Sequence, residues 1–170
     1  MINAIFAVDA AGGLGFNGSL PWPKNSEDLR WFKATTTGHI VVMGRRTWDD
    51  PMMPKPLPNR VNCVITNHPV DNPLVLTLSG DWLKQIKILS WQVTHQDIFI
   101  IGGKDILLQC RPILDKIYLT KINATYECDV TIDVDSYLEG FECTTSTPTT
   151  AGTFTIYQHE KLSRSVTDNP

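Results

Sequence analysis

Long hydrophobic runs are missing from this sequence of 170 residues. Its apolar stretches at residues 40–43, 98–101 and 113–114 are bounded by polar residues, whereas a helix that spans a membrane needs about 20 apolar residues in succession. The first six residues also lack the basic stretch and the small-residue cleavage site of a signal peptide. We therefore predict a cytoplasmic protein that makes no contact with membranes.

A large excess of charge of either sign is also missing. The chain has 15 Lys and Arg against 18 Asp and Glu, which gives a net charge of -3, so it lacks the basic surface with which proteins bind nucleic acids. A local basic patch could still bind a phosphorylated small molecule. With 42% hydrophobic residues, the chain can fold around a core, and its length is typical of a single domain.

Closely spaced cysteines are missing as well. Cys63, Cys110, Cys128 and Cys143 form no C-x-x-C pair, and no histidine stands near them at the spacing of a zinc site. We therefore expect no metal site, and we expect the four cysteines to be buried free thiols.

What the sequence does contain is an alternation of apolar strands and amphipathic helices. Strand patterns cover residues 2–8, 39–43, 61–66, 74–78, 98–101 and 117–122. Most are too apolar for a sheet with one face in water, so they predict helices on both faces of a largely parallel sheet. Residues 153–158 alternate like an antiparallel edge strand. The predicted fold class is α/β, a single domain with a central mixed, mostly parallel β-sheet flanked by helices.

Three helices are predicted between these strands. The first covers residues 25–36, with Leu29 and Phe32 on its inner face. The second has Ser79 as its N-terminal cap, and the third follows Gly103 until Pro112 ends it. A domain of residues 1–162 is expected to be followed by a flexible tail of residues 163–170, which are mostly polar.

The glycines at positions 13, 15 and 18 match the pattern G-x-G-x-x-G directly after the first strand. A dinucleotide-binding loop of that type needs a helix to begin at the glycines, but Pro21 and Pro23 follow instead. We favour a mobile lid that carries Leu20 and Trp22 as apolar cover. A plain surface loop is the alternative.

Small, polar or basic residues follow three of the predicted strands, at residues 44–47, 66–67 and 102–103. The carboxyl ends of parallel strands meet at one edge of a sheet, and arginine forks and glycine backbone suit phosphate groups. The three segments therefore predict a groove for an extended, polyphosphorylated ligand such as a dinucleotide. Each segment alone is also compatible with an ordinary solvated loop or turn.

Asp28 stands near the start of the first predicted helix, with Trp31 and Phe32 on the same side. The helix dipole favours an acid there without any function. A carboxylate beside an apolar groove could also bind a cationic or amidine-like ring edge. No Ser, Cys or His has a partner arrangement for covalent chemistry, so we expect any reaction to use a cofactor.

Taken together, six ordered segments resemble dihydrofolate reductase. They are residues 18–22 (GSLPW), 28–33 (DLRWFK), 43–48 (MGRRTW), 57–60 (LPNR), 100–103 (IIGG) and 118–120 (YLT). Their order and spacing match that family from Met1 through about Asp129, with a weaker match in the C-terminal strands. The resemblance implies the fold of that family and an enzyme that reduces 7,8-dihydrofolate to tetrahydrofolate with NADPH, for one-carbon and thymidylate metabolism.

The resemblance also implies roles for residues around the substrate. Asp28 would bond N3 and the 2-amino group of the pterin, and a water admitted under the Leu20 lid would protonate N5. Arg60 would bind the α-carboxylate of the glutamate through a bidentate fork. The implied catalytic residues are Asp28, Trp22, Leu20 and Thr120, and the implied substrate-binding residues are Ile5, Asp28, Phe32, Leu57, Arg60, Ile101 and Thr120.

The implied cofactor is NADPH, and the other implied partners are dihydrofolate and antifolate-type inhibitors. We expect a monomer. The residues implied to contact the cofactor are Ala7, Leu14, Gly15, Ser19, Arg45, Arg46, Thr47, Thr66, Asn67, Gly102, Gly103, Lys104 and Asp105. A basic residue near the 2′-phosphate would favour NADPH over NADH.

The sequence departs from the family at several positions. Lys104 and Asp105 follow the paired glycines and could alter recognition of the adenosine end, and Leu107 replaces a tyrosine common near the nicotinamide. Residues 51–56 form an extended segment that could displace Leu57 at the pocket rim. Two alternatives stay open: a pyrimidine reductase of riboflavin synthesis with the same fold, and a non-catalytic protein that binds folate or nucleotides.

Overall fold

The computed structural model of the chain describes residues 1–164. Its central sheet has eight strands in the order β5-β4-β3-β6-β1-β7-β10-β9, and a second sheet pairs β2 with β8. The strands are β1 (Ile2–Val8), β2 (Gly13–Gly15), β3 (Ile40–Gly44), β4 (Val61–Ile65), β5 (Val75–Leu78), β6 (Ile98–Gly102), β7 (Lys116–Ile122), β8 (Val130–Thr131), β9 (Phe141–Pro148) and β10 (Gly152–His159). The first six strands of that order are parallel, while β10 runs antiparallel to both β7 and β9. The predicted α/β class with a mixed, mostly parallel sheet is confirmed.

Helices cover both faces of this sheet. They are α1 (Ser26–Thr36), α2 (Arg45–Asp49), α3 (Trp82–Gln92), α4 (Lys104–Cys110), α5 (Val134–Leu138) and α6 (Glu160–Arg164), and a 3-10 helix with Pro112 at its start follows α4. On one face, Ile5, Met43 and Phe99 pack with residues of α1 and α2. On the other face, a second cluster includes Ile86 of α3 and Leu107 of α4. Burial on both faces explains why the parallel strands are nearly continuous apolar runs.

Residues 153–158 lie in β10 as predicted, but β10 is not the edge strand. β9 pairs with its outer side, from Thr153 opposite Pro148 to His159 opposite Phe141. Most of β9 is exposed on both faces, so its sequence carries no alternation of apolar and polar residues that would have revealed it.

Two details of the predicted helices are wrong. Asp81, and not Ser79, caps α3, because its side chain accepts a hydrogen bond from the Lys84 N–H at 3.2 Å. Leu29 is 44% exposed and lies outside both core clusters, whereas Phe32 packs against one of them and Thr36 is fully buried.

The four cysteines are free, but only two are buried. Cys63 and Cys110 lie in the core, whereas Cys128 is half-buried and Cys143 is exposed on β9. The expectation of four buried thiols is therefore wrong for these last two. No helix within residues 1–164 has the length and apolarity needed to cross a membrane.

The predicted tail begins inside a helix, because Ser163 and Arg164 belong to α6. The Ser163 hydroxyl donates to the Glu142 carboxylate of β9 at 3.5 Å. The rest of the predicted tail, residues 165–170, lies outside the described residues.

Candidate active site

The candidate site is a cleft at the carboxyl ends of the parallel strands, beside the first turns of α1. The Asn25 side chain caps α1 by accepting a hydrogen bond from the Asp28 N–H at 3.1 Å. This cap begins the helix so that Asp28 stands in its first turn. From there its carboxylate reaches β7, where the Thr120 hydroxyl donates to Asp28 Oδ1 at 2.6 Å.

Two opposing effects act on the Asp28 carboxyl. Burial raises its pKa, because desolvation disfavours the charged form, and the hydrogen bond from Thr120 lowers the pKa in part. The net result is a pKa above the usual range. Thr120 itself is 1% exposed, so the pair forms a largely dry polar spot at the edge of an apolar surface.

The segment predicted to be a lid lies next to Asp28. Trp22 is 8% exposed and Leu20 is 53% exposed, and both line a small cavity of about 40 Å³ together with Asp28. Gly13–Gly15 is a short strand and not the start of a helix, so the three glycines do not form a dinucleotide-binding loop of the Rossmann type. Ser19 is tied to the far side of the cleft, because its hydroxyl donates to the Asp50 carboxylate at 3.3 Å.

The base of this lid is held by an acid that sequence reasoning missed. Asp9 is 3% exposed, and its carboxylate accepts from the N–H groups of Ala11 at 2.9 Å, Gly13 at 2.7 Å and Tyr126 at 3.0 Å. Burial opposes ionisation of Asp9, but these hydrogen bonds and one from the Cys128 thiol outweigh it and lower the pKa. The only signal in the sequence is an acid at a strand end, which is too common to single it out.

The residues implied to contact the substrate come together on one apolar surface. Ile5 and Leu57 are buried, and Phe32 and Ile101 pack against the same cluster. Arg60 stands at its margin, where its guanidinium carbon lies 5.9 Å from the centre of the Phe32 ring. Arg60 Nε donates to the Pro58 carbonyl at 2.9 Å and Nη1 donates to Thr36 Oγ1 at 3.1 Å, so the guanidinium is held in place beside the cluster.

Asn62 fixes the loop that carries Leu57 and Arg60, and no sequence pattern indicated this role. Its side chain accepts from the Leu57 N–H and donates to the Leu57 carbonyl, both at 2.9 Å. A further bond runs from Asn62 Nδ2 to the Arg60 carbonyl at 3.1 Å. Leu57 is 6% exposed, so the extended segment at residues 51–56 does not remove it from the apolar surface.

The paired glycines form the other wall of the cleft. The Gly102–Gly103 peptide is cis, and Gly102 has φ 126, a conformation that favours glycine. A side chain at either position would meet only the Thr47 hydroxyl, 3.8 Å from a Cβ at Gly102 and 3.9 Å from one at Gly103. This open, side-chain-free backbone lets a ligand approach closely, which is what a nicotinamide cofactor with its pyrophosphate requires.

The two arginines that follow β3 differ in their contacts. Arg45 Nε donates to the Asp49 carboxylate at 3.1 Å, and its Nη1 donates to the Pro69 carbonyl at 3.1 Å. Arg46 is exposed. Thr66 follows β4, where its hydroxyl accepts from the His68 N–H at 3.1 Å. The structure thus brings Arg45 together with the segment after β4, as the strand-end argument predicted.

The departures noted in the sequence lie at different places. Leu107 is 1% exposed in the core, and its carbonyl accepts from the Tyr137 hydroxyl at 2.8 Å. Lys104 is half-buried and Asp105 is exposed, both in the first turn of α4. Among the described residues, no group of three or more His, Cys, Asp or Glu side chains is placed to hold a metal ion.

The remaining implied residues lie near the carboxyl ends of strands or in β2. Ala7 lies near the carboxyl end of β1, paired with Thr120 of β7. Leu14 and Gly15 lie in β2, whose backbone pairs with β8. Asn67 follows β4 directly after Thr66.

Comparison with known proteins agrees with this geometry. A sequence model of the family described as dihydrofolate reductase matches residues 1–162. A dihydrofolate reductase of Bacillus subtilis (strain 168) is 36% identical over 129 residues, which cover 76% of this chain and 73% of that protein. The type 9 dihydrofolate reductase of Escherichia coli is 31% identical over 153 residues, covering 87% of this chain and 84% of that protein.

A solved structure is also similar. It is the dihydrofolate reductase from Enterococcus faecalis complexed with NADP(H) and RAB-propyl, with a TM-score of 0.75 and 29% identity over 93% of this chain and 95% of that one. These matches confirm the resemblance inferred from the six sequence segments. By its sequence and by its fold, this chain belongs to the dihydrofolate reductase family.

Proposed function

We propose that this chain reduces 7,8-dihydrofolate to 5,6,7,8-tetrahydrofolate with NADPH, by hydride transfer to C6 and protonation of N5. The observation that carries this proposal is the Asp28–Thr120 pair, a half-buried carboxylate held by a buried hydroxyl at 2.6 Å beside an apolar surface. The reaction adds one hydride and one proton to the C6–N5 double bond. NADPH, when bound, supplies the hydride, and the protein supplies position, a dry pocket and the path for the proton.

Asp28 binds and orients the pterin. Its two carboxylate oxygens are the complement of the neighbouring N3–H and 2-amino donors, and such charge-assisted pairs are stronger than neutral ones. Thr120 holds Oδ1, which limits rotation of the carboxylate. The negative charge also favours the protonated pterin, so Asp28 promotes protonation at N5 without contacting that atom.

The lid controls water at the reacting end. Trp22 is buried beside Asp28 while Leu20 is exposed, an arrangement that lets the Leu20 side chain move over or away from the cavity between them. A water that enters under Leu20 delivers the proton to N5. Closure of the same segment keeps bulk water out of the pocket while the hydride is transferred.

The remaining residues form two walls, one for the substrate and one for the cofactor. Ile5, Phe32, Leu57 and Ile101 form the surface for the pterin and benzoyl rings, and the held fork of Arg60 binds the glutamate carboxylate. Gly102, Gly103 and Thr47 would hold the nicotinamide and pyrophosphate, which the open backbone around the glycines favours. Arg45, Arg46, Thr66 and Asn67 would hold the phosphorylated ribose, which the contact of Arg45 with the segment after β4 favours. Antifolate-type inhibitors would occupy the pterin surface. Ala7, Leu14, Gly15, Ser19, Lys104 and Asp105 would complete the contacts with the cofactor.

The test is loss of NADPH absorbance when dihydrofolate is added to the purified protein, with NADH in place of NADPH as a control. We expect oxidation that depends on dihydrofolate, is faster with NADPH and is strongly reduced by Asp28→Asn. The variant Asp135→Asn makes the same change of charge on α5 and serves as the control for Asp28→Asn. No turnover of dihydrofolate by the wild type would contradict the proposed function.

The oligomeric state and the compartment complete the proposal. The protein acts as a monomer in the cytoplasm, and its four unpaired cysteines are compatible with a reducing environment. Sedimentation at several concentrations tests this part, because a mass that rises with concentration would contradict a monomer.

A further inference from the structure

The acid that contacts Arg45 has no role in the function proposed above. Asp49 is the last residue of α2, and its two carboxylate oxygens accept from Arg45 Nε at 3.2 and 3.1 Å. Arg45 is the first residue of the same helix. The two side chains therefore form an ion pair four residues apart, and both are partly exposed to solvent.

This ion pair is poorly placed to stabilise α2. The helix dipole favours acids at the N-terminal end and bases at the C-terminal end, and pairs with the acid first are the more stable ones. Here the order is reversed, with the arginine first and the acid last. Asp49 is also 57% exposed, and exposed pairs contribute little to stability. A contribution to folding thus does not account for the pair.

The other contacts of Arg45 leave one edge of its guanidinium for a ligand. Nη1 donates to the carbonyls of His68 at 3.4 Å and Pro69 at 3.1 Å, which joins α2 to the segment after β4. With Nε bonded to Asp49, only Nη2 makes no hydrogen bond to any residue among positions 1–164. An anionic group that binds at Nη2 shares the guanidinium with the Asp49 carboxylate.

We propose that Asp49 is a specificity-determining residue that competes with the 2′-phosphate of NADPH for Arg45 and so narrows the preference for NADPH over NADH. This inference rests on the placement of the phosphorylated ribose at Arg45 given under the proposed function. The carboxylate neutralises part of the charge of Arg45 and repels the phosphate across the guanidinium. NADH lacks that phosphate, so the affinity for NADH does not depend on Asp49.

The experiment is Asp49→Asn, because asparagine keeps an oxygen that accepts from Arg45 Nε but removes the charge. Binding of NADPH and of NADH is measured by titration of tryptophan fluorescence. We expect the Kd of NADPH to fall about twofold to tenfold, because Asp49 is largely exposed and its repulsion of a phosphate across the guanidinium acts in surroundings whose dielectric constant is close to that of water. The Kd of NADH and the kcat at saturating NADPH stay unchanged.

Two further measurements separate this effect from general ones. Adenosine 2′,5′-bisphosphate and 5′-AMP, used as fragments, reproduce the contrast between NADPH and NADH without any turnover. The gain in affinity shrinks in high salt, because screening weakens interactions between exposed charges. Asp135→Asn carries the same change in net charge on α5 and leaves both Kd values unchanged.

An unchanged or higher Kd for NADPH in Asp49→Asn would overturn the inference. An unchanged Kd would mean that Asp49 has no effect on NADPH binding, and a higher Kd would mean that Asp49 positions Arg45 for the cofactor. Equal tightening of NADPH and NADH would overturn it too. If the wild type turns over dihydrofolate, these outcomes leave the proposed function intact. If the wild type shows neither turnover nor a preference for NADPH, the placement of the cofactor fails and the inference falls with it.

Discussion

Replacing Asp28 with asparagine should make the ligand-free protein more stable while it strongly lowers activity. Burial raises the pKa of Asp28 above its unfolded value of 3.8, although Thr120 offsets part of this effect. The folded state therefore holds this proton more tightly than the unfolded state does. By linkage, the contribution of Asp28 to stability falls as pH rises from the unfolded pKa through the folded pKa. At pH values above the folded pKa, the ionised carboxylate is a net cost to folding.

The sizes of the two effects follow from the contacts. The asparagine side chain in Asp28→Asn would keep an oxygen that accepts from the Thr120 hydroxyl. The change therefore removes a partly desolvated charge and leaves the hydrogen bond of Thr120 in place. We expect a gain of about 1 kcal/mol at neutral pH, the low end of the cost of burying a polar group, and a rise in Tm of about 2–4 °C. Loss of one partner from a buried charge pair costs about 2–5 kcal/mol, which lowers kcat/KM by roughly 30-fold to several thousand-fold.

Thermal melts of wild type and Asp28→Asn across a range of pH, with steady-state kinetics on the same samples, provide the test. The difference in Tm should shrink toward acid pH, where the wild-type carboxyl takes up its proton. A variant that melts lower than wild type at neutral pH would refute the reasoning about desolvation. An unchanged kcat/KM would refute the role of Asp28 in binding the pterin.

Three further predictions concern neighbouring groups. Thr120→Val should raise the pKa of Asp28 further, measured by NMR of labelled carboxyl carbons, while Thr120→Ser should restore it; equal pKa values in both variants would contradict the role of the hydroxyl. Asp9→Asn should lower the free energy of unfolding by about 1–3 kcal/mol in denaturant melts, because the new amide group would face the Tyr126 N–H. Folding lowers the pKa of Asp9, so the difference in stability between wild type and variant should be full above the unfolded pKa and lost as pH falls through the folded pKa. A difference that stays constant with pH would contradict this reasoning. Thiol reagents should label the exposed Cys143 first, because burial raises the pKa of Cys63 to about 11 and that of Cys110 to about 12. Mass spectrometry of the native protein after brief labelling checks the order of reaction. Rapid labelling of either buried thiol would contradict the prediction.

Local pattern was enough for much of the fold. Six runs rich in branched apolar residues predicted six strands of the sheet, because a strand buried on both faces is mostly apolar. Only β5, at one edge of the sheet, has an exposed middle among these six. The edge strand β9 escaped prediction, because it is exposed on nearly all of its length and has no partner on its outer side within residues 1–164. The cap of α3 was misplaced by two residues, because Ser79 and Asp81 are both good caps and only the backbone decides between them.

The candidate site divides in the same way. The sequence by itself determined which residue types stand at the strand ends, and the resemblance carried by six short segments pointed to Asp28, Arg60 and the paired glycines. Only the tertiary structure decided that Thr120, 92 positions from Asp28, donates to its carboxylate, and that Asp49 shares Arg45 with the loop after β4. Hydrogen bonds and desolvation depend on distances of a few ångströms between segments far apart in the chain, and no local pattern encodes those distances.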